Sequence, residues 1–158
     1  MSKKFPVFLD LSGRKLVVVG GGKIAERRIQ TLAEFSDQIT CLAPEATGKI
    51  RNLAEKGKIK WIREAYNRER IMDADMVLAC TDSDSVNSDI YAACKALGIL
   101  VNVCSDRRKC DFYFPGVVIR DNVVIGITAS GENHHQAKEV REKIEAALDS
   151  DPGSMKEE

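Results

Sequence analysis

Lys15 to Arg28 reads KLVVVGGGKIAERR: an apolar run of strand type, three glycines, then a segment of helical composition. Gly20, Gly22 and Ala25 fit the G-x-G-x-x-G/A pattern of the first βα turn in a dinucleotide-binding fold, where each small residue answers a steric demand. Gly20 makes the tight turn, Gly22 lets backbone approach a pyrophosphate, and Ala25 lets the helix pack closely on the strand. With no Cβ at the turn, backbone N–H groups at the helix start point at the phosphates, and the helix dipole adds roughly half a positive charge there. The alternative is a glycine-rich loop that holds no ligand. The motif follows a strand and opens a helix, which is the context that supports the nucleotide reading.

The 158 residues suit a domain-sized α/β unit, long enough for a sheet covered on both faces. Twenty-four basic and 24 acidic residues cancel, so the chain lacks the global basic field of a nucleic-acid binder. Charge recognition must be local. No apolar stretch approaches the roughly 18 residues of a membrane span, and MSKKFPVFLDL lacks the apolar core of a signal peptide, so the expected location is the cytoplasm. Cys41, Cys80, Cys94, Cys104 and Cys110 are an odd set without C-x-x-C spacing, and three of them lie in apolar runs. Buried reduced thiols are expected, with metal ligation left open for Cys104 and Cys110 beside a polar loop.

Working outward from the glycine turn, the first helix reaches about Phe35, and QITCLA gives a second strand. Pro44 follows it, a residue that often opens a helix. KIKWIR alternates polar with apolar and reads as a strand near a sheet edge. DMVLAC is a continuous apolar run suited to a buried parallel strand and ends in Thr81 and Asp82. Val86, Ile90, Ala93, Cys94 and Leu97 recur at helical spacing with Gly98 as the stop, and Ile99 to Val103 forms another buried strand. Strands alternating with helices five times predict a Rossmann-like parallel sheet with right-handed crossovers and flanking helices over residues 1–112. Past Asn102 come the loop SDRRKCD and two β-rich runs around Asp121 and Asn122, which read as a hairpin. A helix over about Gln136 to Leu148 completes a region at 113–148. Residues 149–158 are polar and read as a disordered tail.

The stretch PVFLDLSGRKLVVVGGGKIAERRIQTL, the APE after the second strand, TDSDSVN and VNVCSDRRKCDFYFP together resemble precorrin-2 dehydrogenases, the N-terminal domains of siroheme synthases, over residues 5 to about 148. Members of that family oxidise precorrin-2 to sirohydrochlorin with NAD as hydride acceptor, and some insert ferrous iron as well. Carried across by position, the resemblance places Gly22, Lys23 and Ile24 over the NAD pyrophosphate. Pro44 and Glu45 fall beside the adenine ribose, and Thr81 and Asp82 in the loop that touches the coenzyme. Glu45 lies about 20 residues past the turn, where an acid hydrogen-bonds a ribose 2′-OH and repels a 2′-phosphate, which favours NAD over NADP. A glutamate opening a helix is its structural alternative. Asp82 is open to the same kind of reading, as a helix cap.

Two positions depart from the family's pattern. Ser105 stands where the family's catalytic aspartate follows an asparagine and two apolar residues, and Asp106 is one residue late. Either Asp106 supplies the base, or it is a turn residue bonding its own backbone and the chain is no full dehydrogenase. In ITASGENHHQA, Ser130 and Gly131 keep the family's turn, while His134 and His135 replace a Ser-Pro. His134 is a candidate metal ligand or proton carrier, with an exposed capping turn as the alternative. Family members also continue with a further helical region, so part of the substrate cleft is expected to be missing.

The resemblance places the nicotinamide near Asn102 to Asp106 and Ser130. A carboxylate-rich tetrapyrrole substrate needs cations there, and Arg107, Arg108, Lys109 and Arg120 are the candidates. Homodimerisation through Val117 to Ile127 and the last helix is also implied. Two other function classes remain: a truncated module that binds NAD or tetrapyrrole without turnover, and a chelatase only.

Overall fold

The computed structural model describes residues 3–150 apart from Gly131, with the His134 side chain also outside the description. Two compact units emerge, one from Phe8 to Phe112 and the other from the N-terminal residues to Val7 together with the chain from Tyr113 onward.

The larger unit is built on five parallel strands: β1 (Leu16–Val19), β2 (Ile39–Leu42), β3 (Lys60–Ile62), β4 (Met76–Ala79) and β5 (Leu100–Val103). They lie in the order β3-β2-β1-β4-β5, with β1 paired to β2 on one side and β4 on the other. Every residue of β1 and β4 is buried, as the unbroken runs LVVV and MVLA require of strands covered on both faces. β3 is partly exposed and occupies the edge its alternating sequence predicts. Helix α1 (Lys23–Leu32) buries Ala25, Ile29 and Leu32, one face at helical spacing. Helix α2 (Gly48–Glu55) seats Ile50 in the core, and α3 (Asp84–Leu97) seats Ile90, Ala93 and Cys94. Val17, Val19, Leu42, Val77, Ala79 and Val101 form one apolar cluster with Ile90, Ala93 and Cys94 of α3.

The expected α/β architecture holds, with two local differences. Three helices cross between strands rather than one after every strand; β3 connects to β4 through a short 3-10 turn at Arg68–Arg70. The segment from Arg63 to Asp75 is too polar for an apolar helical face, and Asn67 closes the turn by accepting from the Arg70 N–H. Buried Ile71 is what anchors it. The second difference is that Pro44 does not open α2. Thr47 caps that helix by accepting from the Ile50 N–H, leaving Pro44 and Glu45 in the preceding loop.

In the other unit, β6 (Gly116–Arg120) and β7 (Val123–Ile127) pair antiparallel around the two-residue turn Asp121–Asn122. Asp121 takes the left-handed backbone, φ 51°, that such tight hairpins use. Helix α4 (His134–Ser150) is capped by Asn133, whose side chain accepts from the Gln136 N–H. Asp149 and Ser150 belong to its last turn, and residues 151–158 of the expected tail lie outside the described residues. No helix among the described residues is long and apolar enough to cross a membrane.

Candidate functional site

In an open parallel sheet, ligands bind outside the carboxyl ends of the strands where the strand order reverses, here between β1 and β4. At that edge the chain makes the glycine turn. Gly20 sits at φ +120°, and a Cβ there would lie 2.5 Å from the carbonyl oxygen of Cys80 at the end of β4. Any side chain would push β1 and β4 apart. Gly21 is tighter still: its Cβ would lie 1.9 Å from the carbonyl oxygen of Glu45. The carbonyl of Gly21 accepts from the Thr47 N–H at 3.0 Å, so the glycine turn and the loop after β2 are clamped together. Gly22 differs from both. A Cβ there would meet nothing within 4 Å.

Gly22 is also the N-cap of α1 and offers no side-chain acceptor to the first-turn N–H groups. Those donors, beginning at Lys23 and Ile24, are the ones a ligand would use, and bare space above Gly22 lets an anion reach them. The residues present therefore fit a dinucleotide's pyrophosphate. Ala25 is fully buried, as close helix–strand packing demands. Glu45 and Pro44 are exposed at the same edge, within reach of solvent or ligand.

Glu26 escaped the sequence reading. Its carboxylate is buried in the first turn of α1, with Lys23 Nζ at 3.8 Å and Lys49 Nζ at 3.7 Å. Thr47 hydrogen bonding, then the two lysines, hold it below the ordinary carboxylate range against the opposing effect of burial. It braces α1 against the start of α2. The only signal in the sequence was an acidic residue in a first helical turn, which is ordinary.

The loop after β4 is organised by Asn87, a buried residue of α3. Its Oδ1 accepts from the Thr81 hydroxyl at 2.7 Å, and its Nδ2 donates to the Thr81 carbonyl at 3.1 Å and to the Ser105 hydroxyl at 3.3 Å. One carboxamide thus ties together the ends of β4 and β5. Thr81 spends its hydroxyl inside this network. Asp82 is exposed, and the cap of α3 is Ser83 instead, which accepts from the Val86 N–H. Asn87→Ala strands these partners, and an unsatisfied buried polar group costs about 1–3 kcal/mol. The expected result is a lowered thermal midpoint, read by calorimetry; an unchanged midpoint would show that water replaces the carboxamide without loss.

Asn102 is buried in β5 and donates to the Phe112 carbonyl at 2.8 Å, fastening the loop that follows. Ser105 is exposed beyond the strand end. Asp106 caps the 3-10 turn Arg107–Lys109: its Oδ1 accepts from the Arg108 N–H and Nε, each at 3.0 Å, and its Oδ2 from Arg108 Nη2 at 3.1 Å. The Arg108 side chain, then its backbone N–H, hold the Asp106 carboxyl below its ordinary range. Lys109 Nζ donates to the Ser88 hydroxyl at 2.8 Å. Three of the four expected substrate cations stand on this loop, with Arg108 bonded to Asp106 and Lys109 to Ser88.

Arg120, Ser130 and His134 belong to the smaller unit. Arg120 forms an ion pair with Asp149 of α4, and its Nε is buried without a partner. Ser130 has φ 55°, and its hydroxyl accepts from the Lys4 N–H at 3.4 Å. The side chain of His134 is outside the described residues. Among the described residues no group of three or more His, Cys, Asp or Glu side chains converges on a metal position. A cavity of about 580 Å³ opens at the opposite, amino end of the strands, among Lys15, Gln38, Lys60 and Asp73. Lys15 and Asp73 pair with each other there.

Comparison with known proteins agrees with this geometry. A siroheme synthase of Serratia proteamaculans is 32% identical over 152 residues, covering 96% of this chain and 32% of that protein. One of Psychrobacter cryohalolentis is 35% identical over 151 residues, 96% of this chain and 29% of its own length. The chain thus spans about a third of the length of these curated relatives. Among solved structures, the precorrin-2 dehydrogenase SirC matches with a TM-score of 0.80 and 26% identity over 91% of this chain and 70% of SirC. Residues 7–116 match the model of the NAD_binding_7 family, described as "Putative NAD(P)-binding". With its glycine turn, bare helix start and strand-end loops inside that span, the chain belongs to the NAD_binding_7 family and is a relative of the siroheme synthases and of precorrin-2 dehydrogenase.

Proposed function

We propose that this chain is an NAD-dependent precorrin-2 dehydrogenase that forms sirohydrochlorin in siroheme biosynthesis. The observation that carries the reading is the contrast within the glycine turn. Gly20 and Gly21 are closed by backbone contacts, whereas Gly22 is open over the uncapped start of α1. Bound there, NAD supplies the hydride acceptor. The protein's own part is to hold the pyrophosphate at Gly22, Lys23 and Ile24, present Glu45 to the adenine ribose, and keep Thr81 and Ser105 in fixed register through Asn87. Asp106 is the group that takes the substrate's proton, being ionised in its ion pair, and Ser105 lies next to it. Arg107, Arg108 and Lys109 face the substrate's carboxylates, Arg108 while keeping its Nε and Nη2 on Asp106. NAD is preferred over NADP because Glu45 would repel a 2′-phosphate.

The test is spectroscopic. Protein, NAD and enzymatically made precorrin-2 are mixed, and both NADH and the absorption of sirohydrochlorin are followed. Their appearance together, well above the uncatalysed rate, is the expected result. Titration with NAD and NADP on wild type and Glu45→Ala accompanies it; loss of the preference for NAD in the variant is expected.

One observation favours a second reading, a module that binds NAD or tetrapyrrole without turnover: Asp106 is already committed to its turn and to Arg108. Coenzyme binding by calorimetry with no NADH formed would select it. Ferrous iron enters the proposal only as a further substrate, and iron insertion is scored in the same mixture after adding the ion. We further propose a homodimer in the cytoplasm. Exposed Ile119, Val123 and Val140 on the hairpin and α4 supply apolar surface for self-association, and the five free cysteines suit a reducing compartment. Light scattering at twice the monomer mass is the expected outcome.

A further inference from the structure

Cys80 and Cys104 stand one residue beyond β4 and β5. The register pairs Ala79 with Val103, and the Cys104 N–H donates to the Ala79 carbonyl at 3.0 Å, so the parallel ladder continues past the last paired residues. The two cysteines are therefore set side by side on one face of the sheet. Neighbouring strands lie about 4.8 Å apart, inside the roughly 4.4–6.8 Å between Cα atoms that a disulfide spans. Their sulfurs are 3.0 Å apart, and both are free thiols.

Proximity alone is common among core cysteines, but these two have unlike surroundings. Cys80 is buried, whereas Cys104 is partly exposed. The hydrogen bond shared with the Cys80 sulfur, with positive charge and a hydrogen bond from Arg28 of α1, favours the thiolate at Cys104 and lowers its pKa against the opposing effect of burial. Cys80 is shifted the other way by the same contact and by burial. The remaining thiols are kept protonated: burial pushes Cys41 up to about 12 and Cys94 up to about 11, and raises Cys110 as well. The thiolate is the reactive form, so one member of the pair attacks and the other follows.

We propose that Cys80 and Cys104 form a peroxide-reactive dithiol, in which Cys104 is the attacking sulfur, Cys80 the resolving one, and the product a Cys80–Cys104 disulfide across the carboxyl edge of the sheet. In the first step the Cys104 thiolate attacks one oxygen of hydrogen peroxide; the O–O bond breaks, an S–O bond forms, and hydroxide leaves with the electron pair. In the second, the Cys80 sulfur attacks the Cys104 sulfenic acid, the S–O bond breaks, and hydroxide leaves while the Cys80 proton is released, the two combining as water. Peroxide is reduced by two electrons and the dithiol is oxidised by two. None of this chemistry uses the coenzyme, so its outcome is separate from that of the dehydrogenase assay.

The experiment treats the intact chain with hydrogen peroxide at neutral pH, blocks remaining thiols by alkylation, and maps the peptides by mass spectrometry. The expected product is a Cys80–Cys104 linked peptide that forms before any other cysteine is oxidised and is reversed by dithiothreitol. Without peroxide, Cys104 should alkylate at pH 7 roughly tenfold faster than Cys41, Cys94 or Cys110. In Cys80→Ala the sulfenic acid should persist at Cys104 and be trapped by dimedone. A linkage between Cys104 and Cys110, first oxidation at any other cysteine, or equal alkylation of all five would overturn the proposal. The wild-type map decides even if Cys80→Ala fails to fold.

Discussion

Gly22→Ala is expected to leave the fold intact and to weaken coenzyme binding by about 10- to 100-fold, while its neighbour Gly21→Ala damages the fold itself. At Gly22 a methyl group meets nothing within 4 Å, so the thermal midpoint should fall by no more than about 4 °C, the roughly 1 kcal/mol by which alanine is a poorer N-cap than glycine. The same methyl stands where a pyrophosphate must come down on the first-turn N–H groups. Losing one such charge-assisted hydrogen bond, worth about 1.5–3 kcal/mol, gives the stated loss of affinity. At Gly21 the methyl would lie 1.9 Å from one backbone atom and 2.9 Å from another, and backbone cannot rotate away as a side chain can. Overpacking of this kind costs about 1–3 kcal/mol or more, a fall in midpoint on the order of 10 °C for a chain of this size. Calorimetric unfolding and titration with NAD on both variants separate the two effects. Undiminished NAD binding by Gly22→Ala would remove the pyrophosphate from this turn.

Asp106→Asn is the second variant with a large expected effect, about 100-fold or more in kcat with coenzyme affinity unchanged, the usual loss when a general base is removed. Its pH dependence follows from the ion pair. A carboxyl whose ionisation is favoured by Arg108 stays in the base form until the pH falls below the ordinary carboxylate range, so the rate should show no acid limb at or above about pH 4. Arg108→Ala removes the main cause of that depression, and the limb should then move upward. Stability follows the same sign. The group's contribution is present above its unfolded pKa and fades as pH drops through the lower folded value; Arg108 is largely exposed, so solvent screens it and the effect on stability is small. If Asp106 only closed its turn, Asp106→Asn would lower the thermal midpoint and leave kcat untouched.

Substrate charge recognition is where the linear chain was least legible. Arg107, Arg108 and Lys109 read alike as three cations in a row, yet Arg108 meets Asp106 two residues away and Lys109 meets Ser88 of α3. The second partner is 21 residues distant, beyond the reach of any local pattern. Asn87 and Glu26 were invisible for a related reason. A polar residue on an amphipathic helix is assigned to solvent by default, and only packing shows that Asn87 closes against Thr81 and Ser105.

What the chain itself determined is whatever depends on near neighbours: buried strands from unbroken apolar runs, helices from their spacing, the Asp121–Asn122 hairpin, and a tight glycine turn between β1 and α1. Tertiary structure alone decided which glycines exclude a side chain and which one stands under open space, because that answer lies in Cys80 and Glu45, tens of residues away in sequence. It also set Cys80 opposite Cys104, since strand register is a property of the assembled sheet and no spacing between two cysteines encodes it.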